Sequence, residues 1–286
     1  MEKITCLVTG ANGYIGRHVV RALLELGAEV IASDLNFDGL DARAIRCTEN
    51  IFNGAEDIFD RVGRPDVCVH LAWKDGFVHN APTHMAMLSS HMLFLQHMMA
   101  GGLKKLSVMG TMHEVGYWEG AITADTPCKP LSQYGVAKNA MRQSLLLSAA
   151  GQGCSVRWLR AYYIIGDDAR ASSIFAKLTK AEQEGKETFP FTSGKNLYDF
   201  IDIDELARMI AVCSLQDEED GVINVCTGEP VSLAERVESY IREHQFHIRL
   251  QYGAFPDRPY DSPGVWGDAE QIRRIMASWE AAHEKT

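Results

Sequence analysis

The sequence lacks the features that mark several large classes of protein. Its 286 residues contain no block of lysine or arginine, and 38 acidic against 28 basic residues give a formal net charge of -10. A nucleic acid or an anionic membrane surface is bound through a basic patch, so neither is expected as a partner. No apolar stretch reaches the length of a transmembrane helix, and no basic leader precedes the first apolar run. We therefore expect a cytoplasmic protein with a small-molecule partner.

Disulfide and metal-ligand patterns are missing as well. The seven cysteines are odd in number, lie far apart and form no Cys-x-x-Cys pair, so neither a disulfide framework nor a zinc site is expected. The histidine- and methionine-rich stretch 84–99 places His84 and His91 about 10 Å apart along a helix axis, too far for one shared metal ion. We expect no metal and interpret this stretch as a core or subunit-interface helix.

The sequence does contain an alternation of short β-branched runs and amphipathic stretches. Strands are predicted at 4–8, 29–33, 66–72, 105–109 and 155–160, and helices at 14–26 and 133–150. This order predicts an α/β fold, a Rossmann-like doubly wound parallel sheet with helices on both faces. We assign residues 1–162 to this domain, with 197–228 returning to it. The proline-interrupted segments 163–196 and 229–286 are predicted to form a small C-terminal substrate-binding lobe.

The stretch VTGANGYIG, residues 8–16, joins the first predicted strand to the first helix. Gly10, Gly13 and Gly16 let the backbone approach a pyrophosphate, and the helix N-terminus offers free N–H groups to it. Asp34 ends the second strand eighteen residues later. A carboxylate there accepts hydrogen bonds from the adenosine ribose and repels a 2'-phosphate. The expected cofactor is therefore NAD(H) rather than NADP(H).

The stretch QYGVAK, residues 133–138, supplies a second pair of residues with chemical meaning. Tyr134 and Lys138 are four apart on a predicted helix and so share one face. An ammonium group near a phenol stabilises the phenolate and lowers its pKa, which suits Tyr134 to exchange a proton with an alcohol oxygen. A Tyr-x-x-x-Lys spacing occurs by chance in many helices. Here it lies downstream of a dinucleotide-binding pattern, and this context favours a functional pair.

With these motifs the sequence resembles the extended short-chain dehydrogenase/reductase family, in its NAD-dependent nucleotide-sugar epimerase/dehydratase branch. The resemblance covers almost the whole chain and rests on segments in the family's order: VTGANGYIG, ASD, DVCVHLAW, VMGTMHEVG, YGVAK, LRAYYIIG, YDFIDIDELA, INVCTGEPVSL and RPYDSPGVWGD. It implies that Thr111 hydrogen-bonds the reacting oxygen, that Tyr134 is the acid/base and that Lys138 binds the nicotinamide ribose. It also implies a homodimer through helices at about 84–100 and 133–150.

The resemblance implies two further sets of contacts. The cofactor would be bound by Gly10, Asn12, Gly13, Tyr14, Ile15, Gly16, Asp34, Asn50, Ile51, Leu71, Ala72, Trp73, Tyr134 and Lys138. The nucleotide-sugar substrate would be contacted by His113, Tyr163 and Arg258, the last as a guanidinium clamp on a diphosphate.

Departures from the family pattern narrow the activity. Met112 and His113 stand where dehydratases have an Asp-Glu pair, so a 4,6-dehydratase is not expected, and Tyr163 stands where many relatives have a substrate-binding Asn. His113 and Glu114 have two readings: they shape the sugar pocket, or they cap the turn after the strand.

These observations predict an NAD(H)-dependent oxidoreductase or epimerase acting on C4 of a nucleotide-linked hexose, in the first place a nucleotide-sugar 4-epimerase. One alternative is an NAD(P)H-dependent 4-ketoreductase of a nucleotide-linked 4-keto-6-deoxyhexose. An alternative of another class is a non-catalytic NAD(P)-sensing regulator.

Overall fold

The computed structural model describes residues 3–166, 173–256 and 262–283. The strands are β1 (Thr5–Thr9), β2 (Glu29–Ser33), β3 (Ile45–Cys47), β4 (Val67–His70), β5 (Lys105–Thr111), β6 (Gly120–Ile122), β7 (Ser155–Ala161), β8 (Tyr163–Ile165), β9 (Thr188–Pro190), β10 (Leu197–Asp202), β11 (Gly221–Val225), β12 (Pro230–Ser232), β13 (Arg249–Gln251) and β14 (Gly264–Gly267). The α-helices are α1 (Gly16–Glu25), α2 (Ile58–Arg61), α3 (Thr83–Ala100), α4 (Gln133–Ala149), α5 (Ile174–Gln183), α6 (Ile203–Leu215), α7 (Leu233–Glu243) and α8 (Glu270–His283). A 3₁₀ turn covers Met112–Glu114.

Seven strands form the main sheet in the order β11-β7-β5-β4-β1-β2-β3, and every neighbouring pair is parallel. Strands such as β4 are buried along their whole length, as expected for a parallel sheet covered by helices on both faces. The predicted Rossmann-like fold class is confirmed.

The direction of winding reverses between β1 and β4. From β1 the chain builds outward to β2 and β3, and it then returns to place β4, β5, β7 and β11 on the other side. Ligands of doubly wound sheets bind in the crevice at the carboxyl ends of the strands where the order reverses. The segments that follow β1, β4 and β5 meet at this edge of the sheet.

A second sheet has the order β12-β10-β14-β6, and β8 pairs with β10. We predicted that residues 197–228 return to the Rossmann domain, but β10 lies in this second sheet, and the return begins only with α6 and β11. β10 is placed by its partners: it pairs antiparallel with β12 and parallel with β8 and β14. Such long-range pairing cannot be read from an apolar run of six residues.

Asp199, in the middle of β10, ties these segments together. It is fully buried, and its carboxylate accepts hydrogen bonds from the main-chain N–H groups of Thr227 (3.0 Å), Gly228 (2.9 Å) and Gly267 (3.1 Å), and from the Thr227 hydroxyl (2.6 Å). Four donors compensate the buried charge. Asp199 therefore has a structural role at the junction of β10 with β14 and with the segment that follows β11.

Separate clusters of apolar side chains fill the two parts of the molecule. One cluster, which includes Phe175, Leu178, Phe191, Val237 and Ile248, lies entirely within the predicted substrate lobe. The C-terminal helix α8 was predicted to belong to that lobe as well. Its buried residues Ile272 and Ile275 instead join the cluster under the main sheet, because α8 packs against α6 and β11.

Several smaller expectations can be compared with the structure. α1 begins at Gly16 rather than at Tyr14, because residues 10–15 form the tight turn that precedes it. All seven cysteines are free, and five of them are buried. None of the helices in the described ranges combines the length and apolar character that a membrane span requires.

Candidate active site

The glycine turn between β1 and α1 is packed so closely that side chains are excluded from it. Gly10 has a φ of +66°, and a Cβ there would lie 2.7 Å from the Ala72 main-chain nitrogen. A Cβ on Gly16 would lie 2.0 Å from the Gly10 carbonyl oxygen, whereas one on Gly13 would meet only that oxygen, at 3.1 Å. Gly10 and Gly16 thus serve the turn itself. Gly13 is less tightly enclosed than these two, and the turn as a whole forms a cradle without side chains that fits a dinucleotide pyrophosphate at the start of α1.

Asp34 lies beside this turn at the end of β2. Its carboxylate accepts hydrogen bonds from the main-chain N–H groups of Asn12 (2.8 Å) and Leu35 (2.6 Å). The side chain is partly exposed, so it is held at the rim of the crevice. This is the position from which a carboxylate reaches an adenosine ribose.

The other predicted cofactor residues occupy different environments. Tyr14 donates a hydrogen bond to the Gly166 carbonyl at 2.7 Å, and Ile15 is partly buried against the main core. Asn50 is exposed and caps its own turn by accepting a hydrogen bond from the Phe52 N–H at 3.0 Å. Ile51 is only 8% exposed and packs in the core.

Leu71, Ala72 and Trp73 follow β4 directly, at the carboxyl edge of the sheet. The Ala72 N–H faces the Thr9 hydroxyl oxygen at 3.3 Å, and this contact ties the loop to the end of β1. All three residues are partly exposed. The structure therefore places the segments after β1 and β4 next to each other, as a cofactor crevice requires.

Thr111, Tyr134 and Lys138 come together from β5 and α4. Thr111 is the last residue of β5, and its side chain hydrogen-bonds Tyr134. Lys138 lies one helical turn after Tyr134, with its Nζ 5.9 Å from the Tyr134 ring centroid. The ammonium group donates to the Met109 carbonyl at 2.8 Å and lies 3.8 Å from the centre of the Trp73 ring.

The charges of this group differ from the sequence-based expectation in one respect. We predicted a Tyr134 pKa lowered by Lys138, but burial and the nearby charge of Glu114 raise the pKa of Tyr134 above its usual range, and only the Thr111 hydrogen bond opposes them. Lys138 itself is buried, and burial lowers its pKa to about 7, against an opposing effect of Glu114. The prediction did not include desolvation, which disfavours the charged form of both groups.

Aromatic side chains surround Tyr134, and two of them had no signal in the sequence. His79 stacks on the phenol ring at 5.7 Å between centroids, and His84 lies at 5.3 Å. Trp73 and His113 contribute edges at 6.1 and 6.2 Å. The two missed histidines belong to a loop and a helix that reach Tyr134 only in the folded chain. The Tyr134 N–H donates to the His79 carbonyl at 2.9 Å, which anchors that loop.

His113 also contacts His79, with 4.3 Å between ring centroids. Burial is the main cause that lowers the pKa of His113 to about 4, and His79 lowers it further. The imidazole is therefore neutral at neutral pH and can accept or donate a hydrogen bond. Its position beside Tyr134 agrees with the pocket-lining reading of this residue.

Glu114 supports the other reading, a role in the turn. It is fully buried, and its carboxylate accepts the Thr111 N–H at 2.7 Å, while the Thr111 hydroxyl oxygen accepts the His113 N–H at 3.3 Å. These are the two halves of a capping box. Trp158 donates its indole N–H to both Glu114 oxygens, at 2.9 and 3.0 Å.

Two further residues were predicted to contact the substrate, Tyr163 and Arg258. Tyr163 lies in β8 with its ring 4.4 Å from Tyr198 and 5.8 Å from Phe200, between centroids. Arg258 lies outside the described residues. The same ranges contain no group of three or more His, Cys, Asp or Glu side chains suited to a metal ion.

Comparisons with known proteins agree with this geometry. A model of the NAD-dependent epimerase/dehydratase family matches residues 6–226. The chain is 45% identical over 270 residues to dTDP-6-deoxy-L-talose 4-dehydrogenase (NAD(+)) of Aggregatibacter actinomycetemcomitans, with 91% of this chain and 98% of the relative covered. It is 24% identical to UDP-arabinose 4-epimerase 1 of Arabidopsis thaliana, with 97% of this chain and 75% of the relative covered.

Solved structures show the same fold. UDP-glucose 4-epimerase from Thermotoga maritima, solved with UDP-glucose, superposes with a TM-score of 0.81 at 22% identity, with 95% of this chain and 92% of the other covered. UDP-glucuronic acid 4-epimerase from Bacillus cereus, solved with UDP-glucuronic acid and NAD, gives 0.78 at 22% identity, with 96% and 93% covered. The family match over most of the chain confirms the resemblance and the cofactor predicted from the glycine turn. The chain therefore belongs to the NAD-dependent epimerase/dehydratase family and is an NAD-dependent enzyme.

Proposed function

We propose that this enzyme interconverts a hydroxyl group and a ketone at C4 of a nucleotide-linked 6-deoxyhexose, as a net oxidoreductase rather than as an epimerase. The observation that carries the proposal is the 45% identity along nearly the full length of a 4-dehydrogenase that acts on a dTDP-6-deoxysugar. The predicted chemistry at C4 is common to the epimerase and the ketoreductase readings. The choice between them rests on this relative.

The residues around Tyr134 suit a reaction of this kind. In the direction of oxidation, the Tyr134 phenolate accepts the proton of the C4 hydroxyl while the Thr111 hydroxyl holds the same oxygen. NAD, when bound, supplies the acceptor for the hydride that leaves C4. In the direction of reduction, the Tyr134 phenol donates its proton to the ketone oxygen, and the environment that raises its pKa keeps this proton in place at neutral pH.

The 4-epimerase remains the second candidate, because several relatives at 23–24% identity are UDP-sugar 4-epimerases. An epimerase uses the same oxidation but returns the hydride to the other face of the ketone, so no cofactor is consumed. The third reading, a non-catalytic sensor, is not supported, because Thr111, Tyr134 and Lys138 are all present and close together.

One experiment separates these functions. The purified enzyme is incubated with NAD⁺ and, in parallel, with dTDP-6-deoxy-L-talose, UDP-arabinose and UDP-glucose. NADH absorbance and proton NMR of the sugar are followed together. Stoichiometric NADH with loss of the H4 signal from the deoxysugar supports the oxidoreductase. A C4 epimer without NADH accumulation would instead identify an epimerase, and Tyr134→Phe is the inactive control for either outcome.

We further propose that the lobe built around Phe175, Phe191 and Tyr240 selects the nucleotide-sugar, together with His113, Tyr163 and Arg258. The position of His113 beside Tyr134 supports its role at the sugar. Substitution of His113 by Ala should raise KM for the sugar more than KM for NAD⁺. Equal changes in both constants would contradict a substrate contact.

A homodimer through α3 and α4 is also proposed. The two helices pack together, and each leaves an apolar face exposed: Met85 and Leu93 on α3, and Val136 and Leu147 on α4. Leu147 is 78% exposed, which is unusual for a large apolar side chain on a stable helix unless a partner covers it. Light scattering should show a dimer for the natural chain and a monomer for Leu147→Glu.

The free cysteines agree with the proposed cytoplasmic location.

A further inference from the structure

Glu114 is a buried acidic residue three positions after Thr111, in the turn that follows β5. Its exposed fraction is 0%. The Thr111 N–H and the Trp158 indole donate to its oxygens at 2.7 to 3.0 Å. A carboxylate in such a place is costly unless its charge is compensated.

Two arginines provide that compensation. The Nε of Arg142 lies 3.6 Å and the Nη2 of Arg160 lies 3.7 Å from Glu114 Oε2. Arg160 is fully buried, and the Nε atoms of both arginines have no hydrogen-bond partner within the described ranges. The three side chains therefore form a buried charged cluster in which Glu114 is the single negative member.

This cluster is connected to the reacting group in two ways. Through the Thr111 main chain, Glu114 fixes the residue whose side chain hydrogen-bonds Tyr134. Through space, its charge acts on both Tyr134 and Lys138. The other polar groups around Tyr134 are His79, His84 and His113, and the imidazoles of His79 and His113 are held neutral by burial. These neutral imidazoles add no charge to the effect of Glu114 on Tyr134 and Lys138.

We propose that Glu114 is a positioning residue for the hydride step: its buried carboxylate, held by Trp158 and the two arginines, fixes the Thr111 main chain and so holds the Thr111 side chain opposite Tyr134. This inference rests on the chemistry proposed above for Tyr134. It gives a role to an acidic residue that is fully buried and therefore cannot contact the substrate itself.

The test compares three variants in the NAD⁺-loaded enzyme by the pH dependence of kcat/KM for oxidation. Glu114→Gln removes the negative charge, Arg142→Gln removes one positive charge, and Trp158→Phe removes a neutral donor while both charges stay. We expect the apparent pKa values of the profile to move down by roughly one pH unit in Glu114→Gln, and to move down by less in Arg142→Gln, because the Arg142 charge helps to keep the buried Glu114 carboxylate ionised. Trp158→Phe should leave the profile in place, even where thermal unfolding shows lower stability.

The outcomes separate this inference from the function on which it rests. Turnover by the natural enzyme and its loss in Tyr134→Phe test the function alone. A folded Glu114→Gln with an unchanged profile, or shifts of opposite sign in Glu114→Gln and Arg142→Gln, would overturn the positioning role. If Glu114→Gln does not fold, Arg142→Gln decides alone: a downward shift supports the inference, and no shift or an upward one refutes it.

Discussion

The two ends of the active-site crevice are built in different ways. The cofactor end is one continuous turn, Gly10 to Gly16, with Asp34 bound to its main chain. The reaction end is assembled from the loop after β4, the end of β5, the first turn of α4 and the buried face of β7. A local turn needs only its own residues, whereas the reaction end depends on contacts among segments far apart in the chain. Substitutions should therefore have local effects at the first end and spread through several elements at the second.

The largest expected effect is at the reaction end. Tyr134→Phe should lower turnover on the order of 10³-fold, because the proton transfer at C4 loses its acid/base group. Affinity for NAD, measured by calorimetry, should change little, because the glycine turn is untouched. Tyr117→Phe is the matched control, since Tyr117 is 47% exposed and lies outside the site. Retained turnover in Tyr134→Phe would contradict the assigned role.

At the cofactor end, the glycines should be separable. Gly16→Ala should lower the free energy of unfolding by about 3 kcal/mol, because its Cβ would overlap the Gly10 carbonyl oxygen. Gly13→Ala meets only the Gly10 carbonyl oxygen, at 3.1 Å, so it should lose less stability, about 1 kcal/mol, while its affinity for NAD falls. Denaturation and NAD titration of both variants would show this. Similar losses of stability in the two variants would contradict the assignment of Gly16 to the packing of the turn and of Gly13 to cofactor binding.

The buried histidines beneath the reaction end should make stability depend on pH. The rings of His91 and His70 share a hydrogen bond of 2.9 Å. Burial, with a smaller effect of Lys138, lowers the pKa of His91 to about 3. The unfolded chain binds a proton at this position below about pH 6.5, and the folded chain does not until about pH 3. The stability that neutral His91 contributes is therefore complete above pH 6.5 and is lost as the pH falls.

His91→Gln keeps a hydrogen-bonding side chain but does not titrate. Between pH 7 and pH 5 it should lose roughly 2 kcal/mol less of its unfolding free energy than the natural chain. Urea denaturation at both pH values measures the difference, and parallel pH dependence of the two proteins would exclude His91 as its source. No such dependence is expected from substitutions in the glycine turn.

The smallest effect concerns the choice of cofactor. Asp34→Asn should weaken NAD binding about tenfold, because a charged hydrogen-bond acceptor for the ribose is replaced by a neutral one, and should reduce the discrimination against NADP. The Asn12 and Leu35 N–H groups bind different oxygens of Asp34, so the single amide oxygen of the variant can accept from only one of them, and the turn should stay folded with slightly lower stability. Steady-state constants for both cofactors provide the measurement, with an unchanged NAD/NADP ratio as the contrary result.

The fold and the proximity of Tyr134 to Lys138 could be predicted because their signals are local. β1 was predicted at 4–8 and lies at Thr5–Thr9, and the helix predicted at 133–150 is Gln133–Ala149. Apolar runs, the glycine spacing and the four-residue separation of Tyr134 and Lys138 can each be recognised within one element or one turn of the sequence. The placement of β10 and α8 was not readable in this way, because both are defined by partners that are distant in sequence.

Glu114 shows the same limit within the active site. Its neighbours Thr111 and His113 were visible as a polar turn, but Arg142 and Arg160 approach it from α4 and β7. The available signal was Arg160 itself, one of two arginines in the strand Ser155–Ala161, because an arginine in a buried strand requires a partner. The identity of that partner could not follow from the sequence.

The sequence by itself determined the parallel α/β fold, the nucleotide-binding turn, the preference for NAD and the Tyr134–Lys138 pair, since each depends on residues within one element or on the order of elements. Only the tertiary structure decided the aromatic surroundings of Tyr134, the direction in which its pKa is displaced, and the partners of Glu114. Burial and electrostatic interaction depend on distances through space between segments that are far apart in the chain, and these distances exist only once the sheet has assembled.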